Sequence, residues 1–149
     1  MKNRILITGG TGLLGKAVIE KRGNSDEITA TYLGDYAVTD TDSVKCMNLD
    51  ILDKAGYGRL FDTFMPTVVI HAASVGSPDY AKKNKEKTWE VNVGGTKTIV
   101  SLCEDSGSKL IYISSNGIYD GNSAPYSETD RADPIDPVIC VCFKPVTVF

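Results

Sequence analysis

The sequence has no apolar run long enough to cross a bilayer and no block of charge of one sign. A transmembrane helix needs roughly 18 or more apolar residues, and Met1 leads directly into a strand-like segment, so neither a membrane span nor a signal peptide is expected. The 16 Lys and Arg residues and 19 Asp and Glu residues are interspersed and give a net charge of -3. Binding to nucleic acid or to a membrane surface by charge is therefore not expected.

Cysteine and histidine are scarce. The four cysteines, Cys46, Cys103, Cys140 and Cys142, are irregularly spaced, which favours reduced thiols over a disulfide framework and indicates a cytoplasmic protein. The single histidine, His71, lies inside an apolar strand, so a buried core position is favoured over a general base. One histidine with scattered thiols cannot build a metal site.

The order of apolar segments predicts the fold class. The 149 residues suit one domain of about 100 to 200 residues. Short β-branched runs alternate with helical stretches, which is typical of an α/β fold with parallel strands joined by crossover helices. Strands are expected at residues 4–8, 27–32, 44–49, 68–72 and 110–114. Helices are expected near residues 13–21 and 54–64, with one long helix at about 79–105.

Polar segments mark the remaining boundaries. Four lysines within residues 79–87 indicate a solvated helical face, to which no function is assigned. Gly107, between two serines, predicts the end of the long helix. Residues 120–137 are polar, contain three prolines and are expected to form a loop leading away from the sheet.

The most specific pattern is the run T-G-G-T-G-L-L-G at residues 8–15, between the first strand and the first helix. Gly9 permits a tight turn, Gly12 has no side chain to hold a diphosphate off the backbone, and Gly15 lets the helix pack close to the sheet. The predicted cofactor-binding residues of this run are Gly9, Thr11, Gly12, Leu13, Leu14 and Gly15.

The free amides near Leu13 and Leu14 would face the anion, because a helix N-terminus carries about half a positive charge. The alternative is a turn that needs glycines only for its shape. A Walker-type loop is excluded because no Gly-Lys-Ser/Thr follows.

Further motifs occur in the order known from one superfamily. They are L-D-I at 49–51, H-A-A-S at 71–74, W-E-V-N-V-G-G-T at 89–96 and Y-I-S-S at 112–115. With the G-x-x-G-x-x-G spacing, they resemble the extended branch of the short-chain dehydrogenase/reductase superfamily. S-S-N-G-I-Y-D-G followed by A-P-Y-S-E-T-D is similar to sugar-nucleotide reductases of the dTDP-4-dehydrorhamnose reductase type. The resemblance covers residues 1–137 and implies a Rossmann-type doubly wound parallel sheet.

This resemblance also implies roles for residues at the strand ends. Asp50 would hydrogen-bond the adenine amino group and Ile51 would lie against the ring. Ala72, Ala73 and Ser74 would line the cofactor at the carboxyl end of the fourth strand. Asp50 as the N-cap of the following helix is an alternative that can coexist with this role.

The choice between NAD and NADP stays open, with NAD favoured. An acidic residue near the end of the second strand usually binds the adenosine ribose of NAD. Asp35 is the only candidate, and a solvated turn carboxylate explains it equally well. No Arg or Lys stands nearby in the sequence to hold the 2′-phosphate of NADP.

The sequence departs from the superfamily at the catalytic pair. Its hydride-transfer enzymes use a Ser/Thr, a Tyr that protonates the substrate oxygen, and a Lys four residues later that lowers the tyrosine pKa. Ser115 matches the first position. The Tyr and Lys positions fall on Val138 and Cys142, and Lys144 has Cys140 four residues before it, so no register restores the pair.

The last residues change character abruptly. Residues 138–149 are almost wholly apolar and β-branched, so the expected division is a dinucleotide-binding domain at 1–137 and a divergent tail at 138–149. The tail is expected either to cap a sheet edge or to be an aggregation liability, and its C-x-C pair is an incomplete metal or redox site. The hypothesis is a truncated or frame-disrupted relative without the C-terminal substrate lobe.

Two functions remain open at this point. The first is the NAD(P)-binding domain of a sugar-nucleotide reductase, inactive because the Tyr and Lys are missing. The second is a non-catalytic NAD(P)-binding module that senses the cofactor or supports a partner. The expected partners are a dinucleotide and, in full-length members, a nucleotide-sugar, but neither nucleic acid nor a membrane.

Overall fold

A computed structural model describes residues 2–35 and 40–134 and contains one five-stranded sheet. The strands are β1 (Arg4–Thr8), β2 (Glu27–Tyr32), β3 (Val44–Asn48), β4 (Val68–His71) and β5 (Lys109–Tyr112). Their order is β3-β2-β1-β4-β5, and every neighbouring pair is parallel. This arrangement confirms the α/β, doubly wound prediction.

The central strand explains why the sheet is covered on both faces. Leu6 is fully buried in a cluster with helix α2 (Lys54–Phe64) and helix α5 (Thr96–Ser106). Ile7 points the other way, into a second cluster against helix α1 (Leu13–Arg22). Alternate residues of a strand face opposite sides of a sheet, so a strand with helices on both sides must be apolar throughout.

The predicted long helix at residues 79–105 is wrong. The structure has α3 (Pro78–Lys83), α4 (Lys85–Trp89), a π-helical turn (Glu90–Gly95) and then α5. Asn84 separates α3 from α4, because its φ of −131° and ψ of 53° are not helical. The π-helical turn then shifts the register of the residues that follow, a feature often found at functional sites.

The other boundaries agree with the prediction or differ from it by one or two residues. β3, β4 and β5 end one or two residues before the predicted positions, and β5 also begins one earlier. Gly107 ends α5 with a φ of +68°, as expected for a glycine at that position. The described part of the predicted loop, residues 120–134, contains neither helix nor strand, and a 3₁₀ turn at Asn116–Ile118 precedes it. The predicted tail at 138–149 lies outside the described residues. Among the helices of the described part, none is both long and apolar enough to span a membrane.

Candidate functional site at the strand ends

A crevice of about 410 Å³ opens at the carboxyl ends of β1, β2 and β4. β1 lies between β2 and β4, so the chain leaves β1 toward one side and later returns to the other. Ligands of open α/β sheets bind at such a reversal of strand order. Of the predicted cofactor residues, those that line the crevice are Gly9, Thr11, Gly12, Asp50, Ile51, Ala72, Ala73 and Ser74.

Gly9 turns the chain out of β1 with a φ of +76°. A Cβ atom there would lie 2.9 Å from the carbonyl carbon of Ala72 and from the amide nitrogen of Ala73. Glycine is required at this position both by the left-handed backbone and by the close approach of the segment that follows β4.

Gly12 and Gly15 have different surroundings. A Cβ atom on Gly12 would contact only the carbonyl oxygen of Gly9, at 3.2 Å, so the space beside the turn is open. A Cβ atom on Gly15 would lie 2.5 Å from that same oxygen and 2.6 Å from the Cα atom of Gly10. Gly15 therefore permits close packing, whereas Gly12 leaves room for a ligand.

The N-terminus of α1 has no side-chain cap. Gly12 is its N-cap and no side chain accepts a hydrogen bond there. Leu13 and Leu14 are 93% and 38% exposed, and neither residue lines the crevice. Since the first amides of a helix lack partners within the helix, this end of α1 presents donors that suit an anion.

Asp50 follows the end of β3 and lines the crevice. Its hydrogen bond decides whether it is also the N-cap of α2. Its Oδ1 accepts a hydrogen bond from the backbone N–H of Leu52 at 3.0 Å. The N-cap of α2 is Asp53, whose Oδ1 accepts from the Gly56 N–H at 2.8 Å. The alternative of Asp50 as the N-cap is therefore wrong.

Ile51 is anchored by the π-helical turn. Its side chain is 6% exposed and belongs to the core cluster beneath the crevice. A Cβ atom on Gly95 would lie 2.7 Å from the Ile51 Cγ1 atom, so a glycine is needed where the turn meets this side chain.

Sequence reasoning missed a buried hydroxyl pair at the base of the crevice. Tyr57 Oη and Thr31 Oγ1 lie 2.6 Å apart, and both residues are 1% exposed. Burial raises the pKa of Tyr57 to about 12, so the phenol stays protonated. Tyr57 looks like an ordinary apolar position of α2 in the sequence, because its partner is on another element.

His71 belongs to a series of linked hydrogen bonds, of which the bond to Thr8 is buried. Thr96 Oγ1 donates to the Asn92 carbonyl oxygen at 2.6 Å, and therefore accepts from His71 Nε2–H at 2.9 Å. His71 Nδ1 then accepts from Thr8 Oγ1 at 2.6 Å, and Thr8 Oγ1 accepts from the Ala73 N–H at 3.2 Å. In this series of hydrogen bonds, each donor has one acceptor.

The surroundings of His71 confirm a core role. The residue is 1% exposed, and burial lowers its pKa to about 4. Its imidazole is therefore neutral at pH 7, and both ring nitrogens are engaged. It links β1, β4 and α5 instead of presenting a base to solvent.

A second cavity, of about 210 Å³, lies beside the first and shares the segment 72–75 with it. Ser115 is exposed and lines this cavity, together with Tyr112 and Ser114. Asn92 fixes the shared segment, because its Oδ1 accepts from the Val75 N–H at 2.7 Å and its Nδ2 donates to the Val75 oxygen at 3.3 Å. Positions 138 and 142, which would carry the catalytic pair, lie outside the described residues.

The charges of the crevice differ from the prediction. Asp35 is exposed and lies outside the lining. Lys87, on α4, is part of the lining, as is Tyr80 on α3. Neither could be placed there from the sequence, because α3 and α4 reach the crevice only through the tertiary fold.

Neither described cysteine lines either of the two cavities. Within residues 2–35 and 40–134, no group of three or more His, Cys, Asp or Glu side chains could hold a metal ion. Cys46 and Cys103 are free, and burial raises the pKa of the Cys103 thiol to about 12. Cys140 and Cys142 lie outside the described residues.

Comparison with known proteins identifies the family of the chain. The family model described as RmlD substrate binding domain matches residues 2–137. Methionine adenosyltransferase 2 subunit beta of Danio rerio is 35% identical over 133 residues, which cover 89% of this chain and 39% of that protein. The chain thus spans about two fifths of the length of the curated relatives it matches.

Two solved structures share the fold. The enzyme WbmG of Bordetella bronchiseptica in complex with NAD superimposes with a TM-score of 0.84 at 23% identity, covering 95% of this chain and 47% of that one. The dTDP-4-dehydrorhamnose reductase of Bacillus anthracis in complex with NADP gives a TM-score of 0.78 at 24% identity, covering 95% and 46%. At these identities the likeness shows the fold alone.

Proposed function

The chain belongs to the RmlD substrate binding domain family, and on that premise we propose that its crevice binds a nicotinamide dinucleotide, NAD or NADP. The observation that carries this proposal is the glycine turn at the reversal of strand order, with the uncapped end of α1 beside it. A volume of about 410 Å³ lies within the range of small-molecule sites. The binding unit would be residues 1–137.

The glycine turn would hold the pyrophosphate. The amides of Leu13 and Leu14 would donate to its oxygens, and the open space beside Gly12 allows the phosphates to approach the backbone. Gly9 and Gly15 would shape the turn that presents these donors. Thr11 lines the crevice and would offer its hydroxyl there.

The adenosine would lie at the end of β3, with Asp50 on its amino group and Ile51 beneath the ring. Ala72, Ala73 and Ser74 line both cavities. The bound dinucleotide would extend along them from the first cavity into the second. The nicotinamide, when bound, supplies the hydride chemistry. Asp35, exposed outside the lining, would take part only if its loop moved inward.

We further propose that this chain does not turn over a sugar nucleotide. Ser115 in the second cavity would donate a hydrogen bond to a substrate oxygen. Proton transfer would then require a Tyr and a Lys, but Val138 and Cys142 stand at those positions, and neither an alkyl group nor a thiol can replace the tuned phenol.

A second function, a dinucleotide-binding module that supports a partner protein, is favoured by a different observation. The 35% identical relative is named as the beta subunit of methionine adenosyltransferase 2.

The gene sequence after codon 137 discriminates between the disrupted enzyme and the binding module. An intact Y-G-x-S-K in another reading frame supports a disrupted enzyme gene, whereas its absence supports the module.

Isothermal titration tests the proposed binding. NAD+, NADH, NADP+ and NADPH are each titrated into the chain at up to millimolar concentration. We expect saturable heat from at least one of them, weaker than in enzymes that retain the Lys contact to the nicotinamide ribose. No heat from any of the four overturns the proposal.

A further inference from the structure

The crevice contains a cation that none of the family motifs includes. Among the described residues that line it, Lys87 is the only cation and Asp50 the only carboxylate. Three other lysines stand close by in α3 and α4, at 82, 83 and 85, and all three lie outside the lining. The lysine-rich segment therefore has one member that faces the site.

Lys87 can change its partner at little cost. Its Nζ atom lies 3.6 Å from Glu90 Oε2, and the two side chains are 50% and 62% exposed. A charge-assisted hydrogen bond is about 2.7 to 2.9 Å long, and an exposed ion pair on one helix contributes little to stability. A phosphate in the crevice would offer Lys87 a stronger partner than Glu90 does.

Among the described residues, the end of β2 contributes no carboxylate to the lining of the crevice. NAD-binding folds of this kind place a carboxylate near that strand end to accept from the ribose 2′-hydroxyl. Here Tyr32 and Leu33 are the β2-end residues of the lining, and Asp35 lies outside it. A ribose bound at this strand end would lie beside Tyr32 and Leu33, and the cation of the same lining that could bind an anionic substituent is Lys87.

We infer that Lys87 is a specificity-determining residue that binds the 2′-phosphate of NADP, so that the crevice selects NADP over NAD. This inference rests on the proposed dinucleotide function. The pyrophosphate has its own donors at the N-terminus of α1, which leaves Lys87 for the additional phosphate.

Two adenosine fragments test the inference. The dissociation constants of 5′-ADP and of 2′,5′-ADP are measured by calorimetry for the unmodified chain, for Lys87→Gln and for Lys85→Gln. Lys85→Gln is the matched control, since it removes the same charge from the same helix outside the lining. We expect the unmodified chain and Lys85→Gln to bind 2′,5′-ADP about tenfold more tightly than 5′-ADP. Lys87→Gln should bind the two fragments about equally.

The outcomes separate this inference from the proposed function. Binding of 5′-ADP without a preference for 2′,5′-ADP overturns the role of Lys87 alone. An equal loss of affinity for both fragments in Lys87→Gln also overturns it and assigns the lysine to the pyrophosphate. If neither fragment binds to the unmodified chain, the dinucleotide proposal fails and the inference fails with it.

Discussion

Thr8 and His71 are joined by a 2.6 Å hydrogen bond between Thr8 Oγ1 and His71 Nδ1, in the part of the sheet where β1 and β4 end. The two residues face each other across the strand pair and are 0% and 1% exposed. Because Thr8 also accepts from the Ala73 N–H, the bond fixes the start of the segment that both cavities share. A core interaction thus positions the backbone of the site.

The first prediction concerns the pH dependence of stability. His71 has a folded-state pKa of about 4, below its value of about 6.5 in an unfolded chain. Between these values the unfolded chain binds a proton that the folded chain does not, so the free energy of unfolding falls as the pH falls. Urea unfolding should show a loss of about 2 kcal/mol between pH 7 and pH 5.

Because His71 is the only histidine, the variant His71→Gln serves as the control for this slope. Its stability will be lower at pH 7, but it should lose little more between pH 7 and pH 5. If the free energy of unfolding falls equally with pH in both proteins, the pH dependence does not come from His71 and the prediction is wrong.

The second prediction concerns the hydroxyl pair of Tyr57 and Thr31. Tyr57→Phe leaves the buried Thr31 hydroxyl without its 2.6 Å partner and should destabilise the chain by about 1 to 3 kcal/mol. Adding Thr31→Val removes both polar groups and should recover part of that loss. Additive losses in the double variant, measured by denaturant unfolding, would show that the pair is not coupled.

The third prediction separates two glycines by their surroundings. Gly15→Ala places a methyl group 2.5 Å from the Gly9 carbonyl oxygen, so the turn must move, and about 1 to 3 kcal/mol should be lost. Gly58→Ala, in α2 with nothing within 4 Å, should gain about 0.5 to 1 kcal/mol. Equal thermal midpoints for the two variants would refute this reading of the turn.

Local patterns predicted the sheet well, because strand formation here depends on short β-branched runs. β1, β2 and α2 have the predicted bounds. The glycine turn was also readable, since strand, glycines and helix are contiguous. The family motifs placed Asp50 after β3 and Ala72 after β4, at the same edge of the sheet, where both line one crevice.

What the sequence did not reveal depends on distant contacts. The interruption of the long helix at Asn84 leaves no periodic mark, and the π-helical turn is fitted to Ile51 through Gly95. Lys87 lines the crevice only because α4 lies against it. In the sequence it is one lysine in a charged run, and the general rule for such runs favours a solvated face.

The fourth prediction concerns turnover. The chain should give no product from a dTDP-4-keto-6-deoxy sugar with NADPH, because losing a positioned general acid costs about 10² to 10⁴ in rate. The double variant Val138→Tyr with Cys142→Lys should also be inactive, because these residues alone do not orient a substrate. Product detected by chromatography with either protein would overturn the account of a non-catalytic chain.

The central claim, that the glycine turn binds a dinucleotide, is tested most directly by one calorimetric comparison. NADPH and NADH are titrated into the unmodified chain, Gly12→Val and the matched control Gly58→Val. Gly12 has an extended backbone with φ −71° and ψ 170°, which valine can adopt, but the valine side chain would fill the space beside the turn. We predict binding heat for the unmodified chain and for Gly58→Val, and none for Gly12→Val. Unchanged affinity in Gly12→Val would contradict the claim and leave the turn a structural feature only.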